Sequence, residues 1–345
     1  MSNFDTVIKK FDYQFPAELI AQAPTHPRDH ARLLIYDRSN KTIEHDQFKN
    51  LWQYLPTNAV LVLNQTKVLP ARLEVTKPTG GKARLLYIKH DNKTISVLSD
   101  RKLAVGSELK IDTRQKLTVL KKTNQGYELK PSFPISQTYR VLQKFGITPL
   151  PPYIKHAKLK GAKLLKEYNT VFAKTLGSVA APTASLHFTP QLLKKIQSQG
   201  IAIKYVTLHV NLGTFAPLTE AQLKTKRLHS ERYEIAQSTA KFLNKAKKKG
   251  QPIIAVGTTV VRTLESAAKA NGQLSKLSGN TNLFITEKSK LKFVDQLITN
   301  FHVPKSSLLM LVSAFVGRKQ LLTLYKLAIK LKYRLFSFGD GMYLK

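Results

Sequence analysis

The stretch GSVAAPTASLHFT, from Gly177 to Thr189, is built of small and apolar residues and sits in a chain whose formal net charge is +35. Positions 171 to 190 carry one charged residue, Lys174, although 22% of the 345 residues are charged. Small residues at this density mark a place where a ligand or a second backbone passes close by, not a solvated surface. Three more charge-poor islands follow: VTLHVNLGTF around His209, IIAVGTTVV around Thr258 and LITNFHVP around His302. Three of the four islands hold a histidine, which predicts an enzyme pocket embedded in a basic, nucleic-acid-binding body.

The length exceeds that of a usual single core and predicts two domains, and the 42% apolar content is enough to bury both. Lysine and arginine total 56 against 21 acidic residues, so the expected partner is a polyanion, with RNA, DNA and anionic membrane all open on charge alone. The N-terminal MSNFDTVIKKFDYQF lacks the apolar core of a signal peptide, and the longest apolar run, Ser306 to Gly317, is too short to span a bilayer. A soluble, cytoplasmic protein is the expectation. With no cysteine, disulfides, thiolate nucleophiles, cysteine-ligated zinc and iron–sulfur clusters drop out.

From about Ala71 to Lys130 the chain reads as short β-rich runs, RLEV, ARLLYI, TISVL, ELKI and LTVL. Turn clusters separate them at Lys77 to Gly81, His90 to Lys93 and Thr123 to Gly126. The flanking sequence mixes strands with helices, so this antiparallel unit reads as an insertion into one α/β domain, with Pro149 to Tyr153 marking the return. Further on, Thr189-Pro190 predicts an N-cap and N1 proline for the helix QLLKKIQSQ, ended by Gly200 and followed by the strand IAIKYVTLHV. IIAVG reads as a buried strand, and Gly257-Thr258-Thr259 turns into a helix whose first turn is expected to hold Arg262, an anion site. LITNFH reads as a strand and SSLLMLVSAFVG as a buried helix closed by Gly317.

Neither GxGxxG nor a P-loop, HExxH or GxSxG occurs, which leaves a Rossmann nucleotide site unsupported. What recurs is a polar residue at a strand end beside glycine or proline. His187, His209 with Gly213-Thr214, the pair His229 and Glu231, Thr258 with Thr259, Asn300 with His302, and Asp340 between two glycines all fit this description. Adjacent strand ends would bring them together. Histidine exchanges protons near neutrality, and in a chain this poor in acids Glu231, Asp295 or Asp340 could face a cation. No helical i, i+4 pair joins His187, His209 and His229, so no metal is expected. The lysine groups Lys155 to Lys166 and Lys245 to Lys249 read as solvated faces or phosphate contacts.

Taken in order, FDYQFPAELIAQAP, Arg28-Asp29 to Leu34, NQTKVLPARL, PLPPYI, GSVAAPTASLHFT, VTLHV with LGTF, His229-Ser230-Glu231, VGTTVVRTLES, TNLFI, LITNFHVPKSSLLMLVSAF and YRLFSFGDGM resemble the S-adenosylmethionine:tRNA ribosyltransferase-isomerase family of queuosine biosynthesis. The resemblance spans nearly the whole chain. It implies an α/β (α+β) main domain with a mixed sheet, residues 1–70 and 150–345, plus a small inserted antiparallel β-barrel domain, residues 71–149, in a monomeric enzyme. It further implies transfer and isomerisation of the ribosyl moiety of S-adenosylmethionine, a consumed co-substrate, to 7-aminomethyl-7-deazaguanine at the tRNA wobble position. The implied products are epoxyqueuosine, adenine and methionine, and the implied partner is the anticodon stem-loop. On this resemblance His187, His209 and His302 are the unranked proton-transfer candidates, and Glu231 or Asp340 stands near the sulfonium. Thr258, Thr259 and Arg262 hold the methionine carboxylate, with Thr183, Gly213 and Thr214 as further co-substrate contacts, and the lysines of the 155 to 166 segment and of the β insertion are the expected tRNA contacts. Gln65, Arg84, Asn169, Asn211, Leu228 and the Glu287-Lys288-Ser289 turn depart from the family pattern. A non-catalytic tRNA- or ribosome-binding protein is the alternative from another class.

Overall fold

A computed structural model of the protein describes residues 3–124, 126–157, 159–211 and 217–345. Three of the four charge-poor runs contribute strands to the middle of a nine-stranded sheet, while the run from Gly177 to Thr189 lies outside it. In spatial order its strands are Ser278–Leu283, Arg227–Glu234, Ala202–Leu208, Val60–Asn64, Ile253–Val256, Gln296–Asn300, Gly341–Leu344, Arg32–Tyr36 and Ile43–Gln47. The four from Ala202–Leu208 to Gln296–Asn300 run parallel, and the outer pairings include antiparallel ones, so the sheet is mixed. From Val60–Asn64 the chain goes first to the neighbour on one side, Ala202–Leu208, then to the other, Ile253–Val256. The direction of winding therefore changes at Val60–Asn64, and a crevice opens beyond the strand ends there.

Period-two burial explains why these strands carry continuous apolar runs. Val60, Val62, Ile253, Ala255 and Leu297 face one core, while Leu61, Leu63, Ile254, Val256 and Ile298 face the other. Helices Gln237–Lys248, Thr258–Ala267, Ser307–Val316 and Arg318–Lys330 cover the first face. Helix Pro190–Ser198, capped by Thr189 Oγ1 with Pro190 at N1 as expected, and the turn Phe48–Gln53 cover the second. Gly317 ends Ser307–Val316 with φ 74°, again as the sequence indicates. Among the described residues no single helix is long and apolar enough to cross a membrane.

The insertion is a closed antiparallel barrel of Arg72–Thr76, Lys82–His90, Ile95–Ser99, Glu108–Lys110, Lys116–Thr123 and Gly126–Pro131. The last strand, GYELKP, is half polar and ends in proline, and it is not among the β-rich runs that the sequence marks out. Its register against both Ile95–Ser99 and Lys116–Thr123 turns Tyr127 and Leu129 inward and closes the barrel. Gly126 is required at that closure, since φ is +132° and a Cβ there would lie 2.2 Å from the Val97 carbonyl oxygen. The chain leaves and re-enters the main body through a parallel strand pair, Thr66–Val68 and Thr175–Ser178. The fold class is thus the expected one, a mixed-sheet α/β body with a small β-barrel.

Candidate functional site

The C-terminal ends of the parallel strands supply Asn64, His209, Gly257 and Asn300 at one edge of the sheet. Asp340-Gly341 joins them because Gly341–Leu344 runs antiparallel to Gln296–Asn300, with Asn300 opposite Gly341. A pocket lies at this edge, enclosing about 590 Å³ when its open mouth is included. Thr183, Thr258, Thr259, Asn300 and His302 supply polar groups to it, and Tyr153, Phe301 and Phe336 supply aromatic walls. The helix Thr258–Ala267 begins at the pocket without a side-chain cap. Its first backbone N–H groups and the positive end of its dipole favour an anion there.

Thr183, Thr258, Thr259 and His302 are thus brought together as pocket lining. Gly213 and Thr214 lie outside the described residues. His187 stands one layer back: its Nε2 accepts from Asn300 Nδ2 at 3.2 Å, and its ring stacks on Phe48 with centroids 4.2 Å apart. Asn300 in turn accepts from Thr183 Oγ1 at 3.1 Å, so His187 fixes the orientation of an amide that faces the pocket. His209 is half-buried beside the neighbouring lining residue Val210, with Nδ1 2.9 Å from Thr66 Oγ1. Gly177 lies flat against that ring: a Cβ there would be 2.9 Å from His209 Cε1. This is the close approach that the small-residue island implied.

Glu231, Arg262 and Asp340 are not among the pocket-lining residues. Arg262 sits at the fifth position of its helix, beyond the first turn in which the sequence reading put it. Its guanidinium meets the buried Glu231 carboxylate and donates to the Leu283 carbonyl at 3.3 Å. Glu231 lies inside the strand Arg227–Glu234 rather than at its end, and its Oε1 accepts from the Asn211 backbone N–H at 3.0 Å. The pair therefore ties the helix at the pocket to the segment following His209. Asp340 is likewise occupied, accepting from Arg334 Nη2 at 3.0 Å and from the backbone N–H groups of Arg32 and Arg334. It is almost wholly buried.

In the sequence Asn64 stands out only as the first residue of NQTKVLPARL. It is fully buried, donates to the Leu208 carbonyl at 3.0 Å and to Thr259 Oγ1 at 3.3 Å, and accepts from Leu208 N. It therefore joins three elements at the crevice. The signal was an amide closing an otherwise apolar strand, VLVLN, just as Asn300 closes LITN. Tyr153 and Phe336 also reach the pocket from distant segments, and Tyr153 OH meets Ser337 Oγ at 2.6 Å.

Burial lowers the histidine pKa values. His187 is pushed down to about 3 by desolvation, aided by the nearby Arg334 charge, and His302 to about 4 by desolvation. His209 is lowered too, by desolvation and by Arg232. Each is neutral at pH 7, positioned to accept a proton or to donate its single N–H. Since the folded values lie below the free value of 6.5, the unfolded chain binds more protons as the pH falls from about 6.5 to about 4. Stability should fall across that window on acidification, each such histidine contributing up to about 1.4 kcal/mol per pH unit. Urea unfolding at stepped pH checks this; His187→Asn should flatten the slope, and an unchanged slope would contradict the assignment. Among the described residues no group of three His, Asp or Glu side chains gathers as metal ligands.

The family model described as "Queuosine biosynthesis protein" matches residues 8–344. A relative from Carboxydothermus hydrogenoformans, named S-adenosylmethionine:tRNA ribosyltransferase-isomerase, is 45% identical over 340 residues, covering 97% of this chain and 98% of that one. One of the same name from Fusobacterium nucleatum is 43% identical over 344 residues, covering 98% and 97%. A crystal structure of S-adenosylmethionine tRNA ribosyltransferase from Thermotoga maritima superposes with a TM-score of 0.56 at 34% identity, covering 97% of this chain and 99% of that one. The match takes in the barrel, the sheet and every strand end that builds the pocket, and on that extent the chain belongs to the queuosine biosynthesis protein family.

Proposed function

We propose that this enzyme transfers and isomerises the ribosyl moiety of S-adenosylmethionine onto 7-aminomethyl-7-deazaguanine at the wobble position of tRNA, leaving epoxyqueuosine and releasing adenine and methionine. The observation that carries the reading is the near full-length similarity to relatives of that name, joined to a pocket with one anion-binding end and aromatic walls. The start of the helix Thr258–Ala267 suits the methionine carboxylate, with Thr258 and Thr259 adding hydroxyls. Tyr153, Phe301 and Phe336 suit stacking with adenine. The reaction needs a proton taken from the carbon beside the sulfonium and one given to departing adenine, so that the base's amine can form the new bond. Neutral His302 at the pocket wall fits such a transfer, with Asn300 and Thr183 orienting the substrate. Glu231 and Arg262 act on this reading by holding the pocket's frame. On this reading no metal takes part, and the enzyme acts as a monomer in the cytoplasm.

The test is incubation of the pure protein with S-adenosylmethionine and an anticodon stem-loop carrying 7-aminomethyl-7-deazaguanine, followed by mass spectrometry of free adenine and of the digested RNA. Epoxyqueuosine in a one-to-one ratio with adenine is the expected result. Measurable RNA binding with no adenine release would overturn the reading in favour of a non-catalytic RNA-binding protein.

A further inference from the structure

The two lysine groups that look alike in the sequence stand at different places on the molecule. Tyr153 lines the pocket, and Lys155 follows it two residues later, within about 7 Å of chain. From there Lys155, His156, Lys160, Lys163 and Lys166 are all exposed, and none of them has an acidic partner among the described residues; Lys158 lies outside those residues. This basic strap is held at both ends by the N-terminal segment. Gln22 Oε1 accepts from the backbone N–H groups of Lys155 and His156 at 2.9 and 3.0 Å, and its Nε2 donates to the Tyr153 carbonyl at 3.2 Å. At the far end Arg28 closes the helix Gly161–Glu167. Its Nη2 donates to the carbonyls of Lys166 and Glu167, and to the Glu167 carboxylate at 3.0 Å; its Nη1 donates to the Asn169 carbonyl at 2.8 Å. Glu167, the carboxylate next to the strap, is thereby taken up by Arg28, which leaves the lysine charges uncompensated.

The second group, Lys245, Lys248 and Lys249, ends the helix Gln237–Lys248 at the opposite edge of the sheet. There Lys247 Nζ pairs with Asp295 at 2.5 Å, and Asp295 accepts from the N–H of Ile253, the first residue of a strand whose other end reaches the pocket. Charge alone does not separate the two groups; the sheet does.

We infer that the strap from Tyr153 to Lys166 is the surface that receives the RNA phosphates flanking the base inserted in the pocket, and that Gln22 and Arg28 hold it in place for that contact. The inference rests on the proposed function for its choice of partner. A strap fixed before binding loses little conformational entropy when RNA arrives, so its lysines contribute more per contact than a free tail would. Each phosphate neutralised releases counterions and steepens the salt dependence of binding, by about 0.7 in log–log slope on single strands and about 0.9 on duplex.

The experiment compares Lys155→Gln/Lys160→Gln/Lys163→Gln with Lys245→Gln/Lys248→Gln/Lys249→Gln, two triple variants with the same loss of charge. Binding of the deazaguanine-bearing stem-loop is titrated at several salt concentrations without S-adenosylmethionine. The strap variant should bind about tenfold more weakly, with a salt slope shallower by about 2, and the distal variant should stay within about twofold of wild type. Equal losses in the two variants would mean that only net charge matters, and an unchanged slope in the strap variant would mean that RNA docks elsewhere; either overturns the inference. Because binding is read directly, the result stands apart from whether the wild type releases adenine, which tests the proposed reaction.

Discussion

Arg262→Ala is expected to lower the free energy of unfolding by about 3–5 kcal/mol, because it leaves the Glu231 carboxylate buried without its guanidinium. Both side chains are almost wholly out of solvent, at 4% and 1% exposure, so water cannot replace the lost partner. The bond from Arg262 Nε to the Leu283 carbonyl goes with it. The pair itself is not thereby worth 3–5 kcal/mol, since desolvating two charges offsets much of their attraction. The double variant Glu231→Leu/Arg262→Met should consequently unfold at higher urea than Arg262→Ala, although the Asn211 N–H then loses its acceptor. Urea titration of both variants decides it, and a loss below about 1 kcal/mol in Arg262→Ala would contradict a buried pair. Because Glu231 holds Asn211 two residues beyond His209, Arg262→Ala should also loosen the wall carrying Val210 and reduce turnover of the protein that remains folded.

His302→Ala should reduce adenine release by about 10²- to 10⁴-fold, the span expected when a general acid or base is removed. The sequence offered His187, His209 and His302 as equals, and the structure separates them. His302 lines the pocket directly, its Nε2 3.0 Å from Thr299 Oγ1 and its backbone N–H bonded to Tyr325 OH at 2.8 Å. His187 reaches the pocket through Asn300, and His209 stands beside it against Gly177. His187→Ala is therefore expected to act through the mispositioned Asn300, with a smaller loss of rate that His187→Asn partly restores. Single-turnover adenine release by the three alanine variants, each checked for a native unfolding midpoint, gives the ranking. A rate for His302→Ala within about threefold of wild type would remove it from the chemistry.

The departures from the family pattern fall in different settings. Glu287-Lys288-Ser289 forms a surface turn whose glutamate accepts from the Arg318 N–H at 2.9 Å. Arg84 lies on an exposed barrel position paired across the strand with Glu74. Asn211, in contrast, is bound into the frame, its side chain donating to the Ser230 carbonyl at 2.9 Å while its backbone meets Glu231. That asparagine clips the loop after His209 to the neighbouring strand.

By itself the sequence determined the elements that depend on neighbours in the chain. Apolar runs bounded by turn residues gave three of the four central parallel strands but not Val60–Asn64, Thr189-Pro190 and Gly317 gave helix ends, and the β-rich runs between turn clusters gave all but one strand of the barrel. The four charge-poor islands announced a buried site, because a chain with so many lysines leaves a stretch uncharged only where water is kept out. Tertiary structure alone decided which polar residues of that site face the pocket and which face one another. Glu231 meets Arg262, Asp340 meets Arg334, and His187 meets Asn300 across 113 positions of sequence. The fold likewise sets Lys155 two residues after the pocket residue Tyr153, and sets the end of helix Gln237–Lys248 beside Asp295, whose carboxylate holds the start of the strand Ile253–Val256. Periodicity and turn chemistry are local and repeat within a few residues, whereas side-chain partners are set by strand order and register, which only the folded sheet fixes.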